Sequence, residues 1–287
     1  MKTLTTGCSF THAPNSWANY LKQNYDYTNI TNIAPGGSGN EFNIITALTE
    51  MYSNQEPYTH CITQISGINR FELGIDEKIV HEQIGNFIVT KEWYSWLKST
   101  GDVSFWIKKL LKKEHFDTFE NFKKVGNALE TYQQHCYSEA KQLMQTLTSI
   151  CHMQSVCKEK DIKDYYFCWK NEFEQYIDQI KASEELYTWY SKIDWSKFYF
   201  YNQYGGIAEW GIANGYTGDL NEDEEGKGWI MDGDKKIMLG HPSTECHQAF
   251  AEQIIKPWID KKWQWYITVI LTGDILQVRM ENVKDYL

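Results

Sequence analysis

The sequence predicts an α/β protein with a central parallel sheet. Two observations lead to this prediction. Short apolar segments alternate with helix-like segments from residue 1 to about residue 73, and each apolar segment ends in a turn that contains glycine. Because repeated strand–helix–strand units of this kind build parallel sheets covered by helices, we expect a three-layer α/β/α sandwich.

The first elements follow from these patterns in chain order. The predicted strands are residues 2–6, 27–33 and 59–65. One predicted helix starts with residues 16–22, and a second predicted helix spans residues 41–52. Ser16 is the expected N-cap of the first helix. Ligands of parallel sheets bind at the carboxyl ends of the strands, so we expect the loops at Gly7, Gly36 and Gly67 to converge on a site.

The middle of the chain has a different pattern. Apolar residues recur every three or four positions from Phe122 to Ile150, which predicts one long amphipathic helix. Residues 165–169 are apolar and suit a buried strand. We therefore interpret residues 76–190 as a helical insertion that adds one strand to the sheet of a single domain, residues 1–262; packing of the insertion as a lid is the alternative.

The last part of the chain predicts a loop, a helix and a C-terminal β-hairpin. Glycine and acidic residues dominate residues 215–233, and a helical pattern follows at residues 244–259. Residues 265–280 alternate around Thr272-Gly273-Asp274, which indicates a hairpin in an extension of residues 263–287. The exposed strand edges of such a hairpin favour homo-oligomer formation or assembly into a larger particle.

Composition excludes several classes of function. The chain has 28 basic and 38 acidic residues and a net charge of −10, so we expect no nucleic-acid partner and no anionic membrane partner. No apolar run approaches the roughly 18 residues of a membrane-spanning helix, and the strand-like start of the sequence leaves no room for a signal peptide. The 7 cysteines never show CxxC spacing, which predicts reduced thiols in a cytoplasmic protein.

Four short segments carry residues suited to chemistry at the predicted sheet edge. They are Gly7-Cys8-Ser9-Phe10, residues 32–40, Ser66-Gly67-Ile68-Asn69-Arg70 and Gly240-His241-Pro242-Ser243. A serine hydroxyl supplies a nucleophile, and an imidazole supplies a general base. Glycines let the backbone approach a ligand closely with an N–H pointing at it, and an asparagine amide offers a neutral donor. Arg70 is a candidate for binding an anionic group of the substrate, with a surface ion pair as the alternative.

In this order the four segments resemble the sequence blocks of the SGNH (GDSL-type) hydrolases. The resemblance covers about residues 1–75 and 195–260, and it is closest to divergent members from large marine bacteriophages. It implies a serine esterase that cleaves O-acyl esters, such as acetyl esters of carbohydrates or of small molecules, without a cofactor and without a metal.

The resemblance also implies roles for individual residues. Ser9 would be the nucleophile and His241 the general base. The backbone N–H groups of Ser9 and Gly37 and the side chain of Asn69 would form the oxyanion hole. Gly39 is the alternative to Gly37, because the glycine-rich turn allows a two-residue shift of the match.

Two positions depart from the family's pattern. Cys8 replaces the Asp of the first block, and Met238 replaces the Asp that normally precedes the histidine by three residues. The second Asp holds the imidazole in the correct tautomer, and disrupting that role in a Ser-His-Asp protease costs about 10⁴ in rate. Asp232, Asp234 and Glu245 are candidates to orient the ring instead, and a backbone carbonyl is a further one.

Other interpretations stay open at the sequence level. The alternative function is a non-catalytic structural or binding protein that retains the fold, such as a virion component, because the usual Asp is missing. Cys8 is an alternative nucleophile, and the acidic residues 222–225 form either a calcium loop or a solvated loop. The aromatic residues 195–210 form either core or the floor of a sugar-binding groove. Zinc is not expected, because His241 and His247 are six residues apart.

Overall fold

A computed structural model describes residues 1–25, 29–34, 38–68, 138–218, 229–232, 235–238, 240–260, 266–271 and 274–279. Within these ranges the protein is an α/β protein with a five-stranded, all-parallel central sheet. The strands of the sheet are β1 (Thr3–Thr6), β2 (Ile30–Asn32), β3 (His60–Ile65), β4 (Lys163–Cys168) and β5 (Phe198–Tyr199). Their spatial order is β2-β1-β3-β4-β5. The predicted parallel α/β architecture is therefore confirmed.

The strand order places a switch point between β1 and β3. The chain leaves β1 toward β2 on one side and later adds β3 on the other side, with Leu4 of β1 paired to both Thr31 and Cys61. Every residue of β1 and of β3 is buried, as expected for parallel strands with both faces covered. In open parallel sheets, ligands bind outside the carboxyl ends of the strands at such a switch point.

Helices pack on both faces of the sheet. The helices are α1 (Ser9–His12), α2 (Trp17–Asn24), α3 (Asn40–Ser53), α4 (Glu139–Glu159), α5 (Ile177–Ala182), α6 (Glu184–Tyr190), α7 (Ile207–Ala213), α8 (Thr244–Phe250) and α9 (Lys256–Ile259). Short 3-10 turns lie at Glu174–Tyr176 and Trp195–Lys197, and a π-helical segment, Ala251–Ile255, joins α8 to α9. Side chains alternate along β4: Tyr166 and Cys168 pack in one core with α3 and α4, whereas Phe167 packs in a second core with α2, α7 and α8.

The helix starts follow the capping chemistry in the sequence. Ser16 caps α2 as predicted, because its side chain accepts a hydrogen bond from the Asn19 backbone N–H. The predicted long helix over residues 122–150 is wrong at Ser138. That residue is extended (φ −140°, ψ 122°) and caps α4 by accepting from the Lys141 backbone N–H, so the helix begins at Glu139. The rest of the predicted helix, residues 122–137, lies outside the described residues.

Residues 138–190 belong to the core of the domain. β4 pairs with β3 from Lys163 opposite His60 to Cys168 opposite Ile65, and α4 packs against α3. The apolar residues of α4 belong to the same buried cluster as Leu4 of β1. The predicted insertion at residues 76–190 does add a strand to the sheet, but its second half is part of the α/β core. Its first part, residues 76–137, lies outside the described residues.

Two antiparallel strand pairs complete the described structure. They are β6 (Trp229–Asp232) with β7 (Lys235–Met238), and β8 (Tyr266–Leu271) with β9 (Asp274–Arg279). β7 lies beside α7, and β8 lies beside the turn Trp195–Lys197. Both β8 and β9 fall in the segment for which the sequence predicts a hairpin. Across the residues that are described, no helix is long and apolar enough to cross a membrane.

Candidate functional site

Ser9 and His241 lie within hydrogen-bond distance of each other although 232 residues separate them in the chain. The distance between Ser9 Oγ and His241 Nε2 is 2.7 Å. Ser9 is the first residue of α1, just beyond the carboxyl end of β1 and therefore at the switch point of the sheet. Both residues are only half-buried. The structure thus brings together the two residues that the sequence predicts as nucleophile and general base.

The turn before Ser9 requires a glycine. Gly7 has φ +153°, and a Cβ atom at this position would lie 2.6 Å from Thr11 Oγ1 and 2.7 Å from Gln64 Cβ. A side chain would therefore collide with the neighbouring strand β3 and with α1 at once. This close approach sets the distance between the end of β1 and the start of α1, and hence the position of Ser9.

A network of hydrogen bonds around buried Thr11 fixes the position of α1. The Thr11 hydroxyl donates to Gln64 Oε1 at 2.8 Å and accepts from Trp17 Nε1 at 3.2 Å. The Thr11 carbonyl accepts from Ser16 Oγ at 2.8 Å and from Asn32 Nδ2 at 2.6 Å. Because Thr11 follows Ser9 in the same short helix, these bonds fix the helix that carries the hydroxyl. Sequence reasoning missed the roles of Thr11 and Gln64.

His241 is held by backbone contacts with a distant segment. Pro242 forms an antiparallel bridge with Gly218, and the Ser243 backbone N–H donates to the Thr217 carbonyl at 2.9 Å. Ser243 also caps α8. The histidine therefore sits in a short extended stretch, fixed on one side by residues 217–218 and continued on the other by a helix.

A chain of packed side chains runs from His241 to the loop after β3. The Phe10 ring lies 4.8 Å from the His241 ring and 5.2 Å from the Trp169 ring, measured between centroids. Trp169 Nε1 donates to Glu172 Oε1 at 2.6 Å, and Glu172 Oε2 accepts from the Ile68 backbone N–H at 3.0 Å. Glu172 is buried. Its carboxylate thus anchors the residue directly before predicted Asn69, and no sequence motif indicated this.

The loops after β1, β2 and β3 converge in their described parts, as predicted. Asn40 Nδ2 donates to the Ser66 carbonyl at 3.0 Å, and Asn40 Oδ1 accepts from the Ser66 backbone N–H at 2.7 Å. The Ser66 hydroxyl donates to the Ser38 carbonyl at 3.1 Å, and the Ser38 hydroxyl, which hydrogen-bonds to Asn43 Oδ1, lies 3.5 Å from the Gly7 carbonyl oxygen. These contacts connect all three loops at one edge of the sheet.

The remaining predicted site residues have different placements. Those outside the described residues are Gly37, Asn69, Arg70 and Asp234. Gly39 is the N-cap of α3. Asp232 ends β6, and Met238 ends β7, three residues before the histidine. Glu245 lies exposed in the first turn of α8. The identity of the residue that orients the His241 imidazole therefore stays a prediction.

A cavity of about 290 Å³ borders the Ser9–His241 pair. Its lining includes Ser9, His12, Asn15, His241, Pro242 and His247. His247 is 1% exposed. Burial and, secondarily, the charge of nearby His241 lower the pKa of His247 to about 3, so this ring is neutral near pH 7. Sequence reasoning named His247 only as a poor zinc ligand.

Two alternative sites receive no support. Among the described residues, no group of three His, Cys, Asp or Glu side chains is arranged to hold a metal ion. Cys8 is fully buried, and its Sγ lies 3.4 Å from Gln64 Oε1, which favours packing over the alternative role as a nucleophile. The acidic residues 222–225, considered as a calcium loop, lie outside the described residues.

Of the two interpretations of the aromatic residues 195–210, the structure favours the core over the floor of a sugar-binding groove. Trp195, Phe198, Phe200 and Tyr204 are all buried in the core with α4. The Trp195 and Phe198 rings lie 4.8 Å apart. Because these rings pack against each other and against the sheet, their faces are not available to a sugar.

Comparison of the chain with protein-family models, with curated proteins and with solved structures finds no match. The functional interpretation therefore depends on the geometry of the site. That geometry is a serine hydroxyl against an imidazole, at the carboxyl edge of a parallel sheet and beside a cavity.

Proposed function

We propose that the protein is a serine hydrolase of the SGNH type that cleaves O-acyl esters. The observation that carries the proposal is the 2.7 Å distance between Ser9 Oγ and His241 Nε2. A nucleophile and a base within hydrogen-bond distance, next to a cavity at a sheet switch point, are what acyl transfer through serine requires. The strand order, with helices on both faces of the sheet, supports an SGNH-type sandwich.

The first half-reaction forms an acyl-enzyme. Ser9 Oγ attacks the acyl carbonyl carbon, and the hydroxyl proton moves to His241 Nε2. The tetrahedral intermediate then collapses as the bond between the carbonyl carbon and the alcohol oxygen breaks. His241 gives its proton to that oxygen, so a neutral alcohol leaves and the acyl group remains on Ser9.

The second half-reaction restores the enzyme. A water molecule attacks the acyl carbon and gives a proton to His241 Nε2. When the intermediate collapses, Ser9 Oγ leaves and takes this proton back, and the carboxylic acid is released. Each proton accepted by His241 is returned within the same half-reaction, so the cycle needs no cofactor.

The oxyanion would be stabilised by hydrogen-bond donors at the same sheet edge. As the first residue of α1, Ser9 has no acceptor one turn earlier in the helix for its backbone N–H. The resemblance to the family adds the N–H of Gly37, or of Gly39, and the amide of Asn69. One donor of this kind is typically worth about 3 kcal/mol of the barrier.

The replacement of the usual Asp by Met238 changes how the imidazole is oriented. The tilted Phe10 ring, 4.8 Å from His241 between centroids, restricts the plane of the imidazole from one side. Asp232, Asp234 and Glu245 are the proposed sources of a carboxylate for Nδ1. We expect turnover below that of an enzyme with the usual triad, since a correctly held tautomer accounts for a large part of the rate.

The state of the pocket favours a hydrolase over a non-catalytic structural or virion protein. Ser9 is half-buried and borders a cavity of about 290 Å³. A protein that retained only the fold would need neither an accessible serine nor a base held against it. The proposed substrates are O-acyl esters with a small acyl group, such as acetylated carbohydrates, and Arg70 would bind an anionic group where one is present.

Hydrolysis of p-nitrophenyl acetate by the wild type and by Ser9→Ala and His241→Ala tests the proposal. We expect each substitution to lower kcat by at least about 10³-fold, because removing either the nucleophile or the base of a catalytic pair makes the other ineffective. The controls are Ser155→Ala and His152→Ala, which alter an exposed serine and an exposed histidine on α4. A fluorophosphonate probe should label Ser9, as located by mass spectrometry. Equal rates in all five proteins and no labelling of Ser9 would overturn the proposal.

A further inference from the structure

We propose that His12 binds the substrate by accepting a hydrogen bond from a hydroxyl group on its alcohol part. This inference rests on the proposed hydrolase function, which places the ester bond at Ser9. Ser9 and His12 are the first and last residues of α1, and their spacing of three puts them on one face of the helix. Both line the cavity that also borders His241.

The hydrogen bonding of the His12 ring defines its tautomer. His12 Nδ1 lies 2.7 Å from the Ala34 carbonyl oxygen. A carbonyl oxygen only accepts, so Nδ1 carries the proton, and Nε2 of the neutral ring keeps a free lone pair. His12 is exposed, so a bound ligand can reach the ring. The ring therefore presents an acceptor to the ligand.

The carbonyl that holds the ring is itself fixed. Asn32 Oδ1 accepts from the Ala34 backbone N–H at 3.1 Å, and Asn32 Nδ2 donates to the Thr11 carbonyl at 2.6 Å. Asn32 thus connects the residue that orients the His12 ring with the residue directly before His12. An acceptor that is held before the ligand arrives loses less conformational entropy on binding.

The cavity favours a neutral ligand with hydroxyl groups. Within the part of the chain that the structure describes, its lining contains no Asp, Glu, Lys or Arg, and its polar groups are Ser9, Asn15 and three histidines. A charged group entering it would lose water and meet no opposite charge among these described lining residues. A hydroxyl group, in contrast, donates a hydrogen bond to His12 Nε2. The alcohol part of the ester is therefore assigned to the polyols and carbohydrates.

The test compares the binding of two esters of similar size to the Ser9→Ala variant, which lacks the proposed nucleophile and therefore does not hydrolyse them. Methyl 6-O-acetyl-glucopyranoside carries hydroxyls, whereas cyclohexylmethyl acetate has a similar ring and none. Calorimetry gives the Kd of each for Ser9→Ala, for Ser9→Ala with His12→Leu, and for Ser9→Ala with His12→Gln. We expect His12→Leu to reduce the preference for the glycoside by about tenfold, the value of one good hydrogen bond. His12→Gln should restore part of it, since its side chain offers an acceptor.

The matched control is His152→Leu in the same background, since His152 is an exposed histidine on α4. It should leave both Kd values unchanged. A preference for the glycoside that is unaltered by His12→Leu, or an equal loss for both esters, would overturn the role of His12. If His12→Leu lowers the preference but the enzyme with Ser9 hydrolyses neither ester, the hydrolase proposal fails while the binding role stands.

Discussion

Different kinds of contact hold the two partners of the Ser9–His241 pair. On the serine side, a Cβ added to Gly7 would lie within 3 Å of Gln64, and Thr11 in α1 makes a buried hydrogen bond to Gln64 of β3. On the histidine side, two backbone contacts with residues 217–218 hold the loop, and Phe10 packs against the ring.

The difference indicates how each side responds to change. The serine is fixed by the sheet itself, through close approach and buried polar bonds that leave no room for adjustment. The histidine is itself half-buried in a loop, and its surroundings include a second imidazole, His247, that is kept neutral by burial. We therefore expect the serine side to be sensitive to steric change and the histidine side to be sensitive to pH.

The largest effect is expected for Gly7→Ala. The new methyl group would collide with Gln64 and Thr11 at a positive φ, so we expect the free energy of unfolding to fall by about 3–5 kcal/mol. Gly215 is the matched control, because it has φ +82° but no atom within 4 Å of the added Cβ. Gly215→Ala should cost only about 1–2 kcal/mol, the cost of the backbone conformation. Urea unfolding measures both, and equal losses would contradict a steric role for Gly7.

The next effect is the pH dependence due to His247. Its folded-state pKa of about 3 lies below the ordinary value of 6.5, so the unfolded chain binds more protons once the pH falls below about 6.5. The free energy of unfolding should therefore decrease with falling pH between about 6.5 and 3, and by about 2 kcal/mol between pH 7 and pH 5. His247→Leu should remove this part of the slope.

Urea unfolding at several pH values measures the His247 contribution as the difference between the slopes of wild type and variant. His152→Leu is the matched control, because this histidine is exposed and its loss should leave the slope unchanged. If the slopes of wild type and His247→Leu coincide, burial of a neutral imidazole beside His241 is not the cause of acid sensitivity.

The same contrast explains what the sequence could predict. Ser9 comes two residues after the glycine that ends the first strand, so local patterns are enough to place it at the sheet edge. His241 was found through the order of four short segments, and its meeting with Ser9 required the fold. Glu172 gave no signal, because its partner Ile68 is 104 residues away and contributes only a backbone N–H. Residue types alone do not indicate a contact of this kind, because every residue except proline has a backbone N–H.

One prediction failed, and one choice between two interpretations required the structure, each for a specific physical reason. The apolar period through Ser138 continued without a break, and only the extended backbone of that serine shows that a helix begins there. The aromatic residues 195–204 suit both a core and a sugar-binding surface, and composition does not distinguish the two. Burial against α4 and β4 decides in favour of the core.

The smallest effect is the expected difference between the two capping serines, one on each side of the pair. Ser16 is fully buried, accepts from the Asn19 backbone N–H and donates to the Thr11 carbonyl at 2.8 Å. Ser243 is half-buried and caps α8 by accepting from the Cys246 backbone N–H at 3.3 Å. Ser16→Ala should cost about 2 kcal/mol, because the cap is lost and a buried carbonyl loses one donor. Ser243→Ala should cost about 1 kcal/mol, the usual value of a cap.

Urea unfolding of the two alanine variants measures this difference, and Ser138→Ala is the control for loss of a cap alone. Ser138 caps α4 by accepting from the Lys141 backbone N–H at 3.4 Å. Its replacement should cost as much as Ser243→Ala. A loss for Ser243→Ala that equals or exceeds the loss for Ser16→Ala would mean that the histidine loop is as tightly bound as α1. In that case the different behaviour of the two sides would have to come from His247 alone.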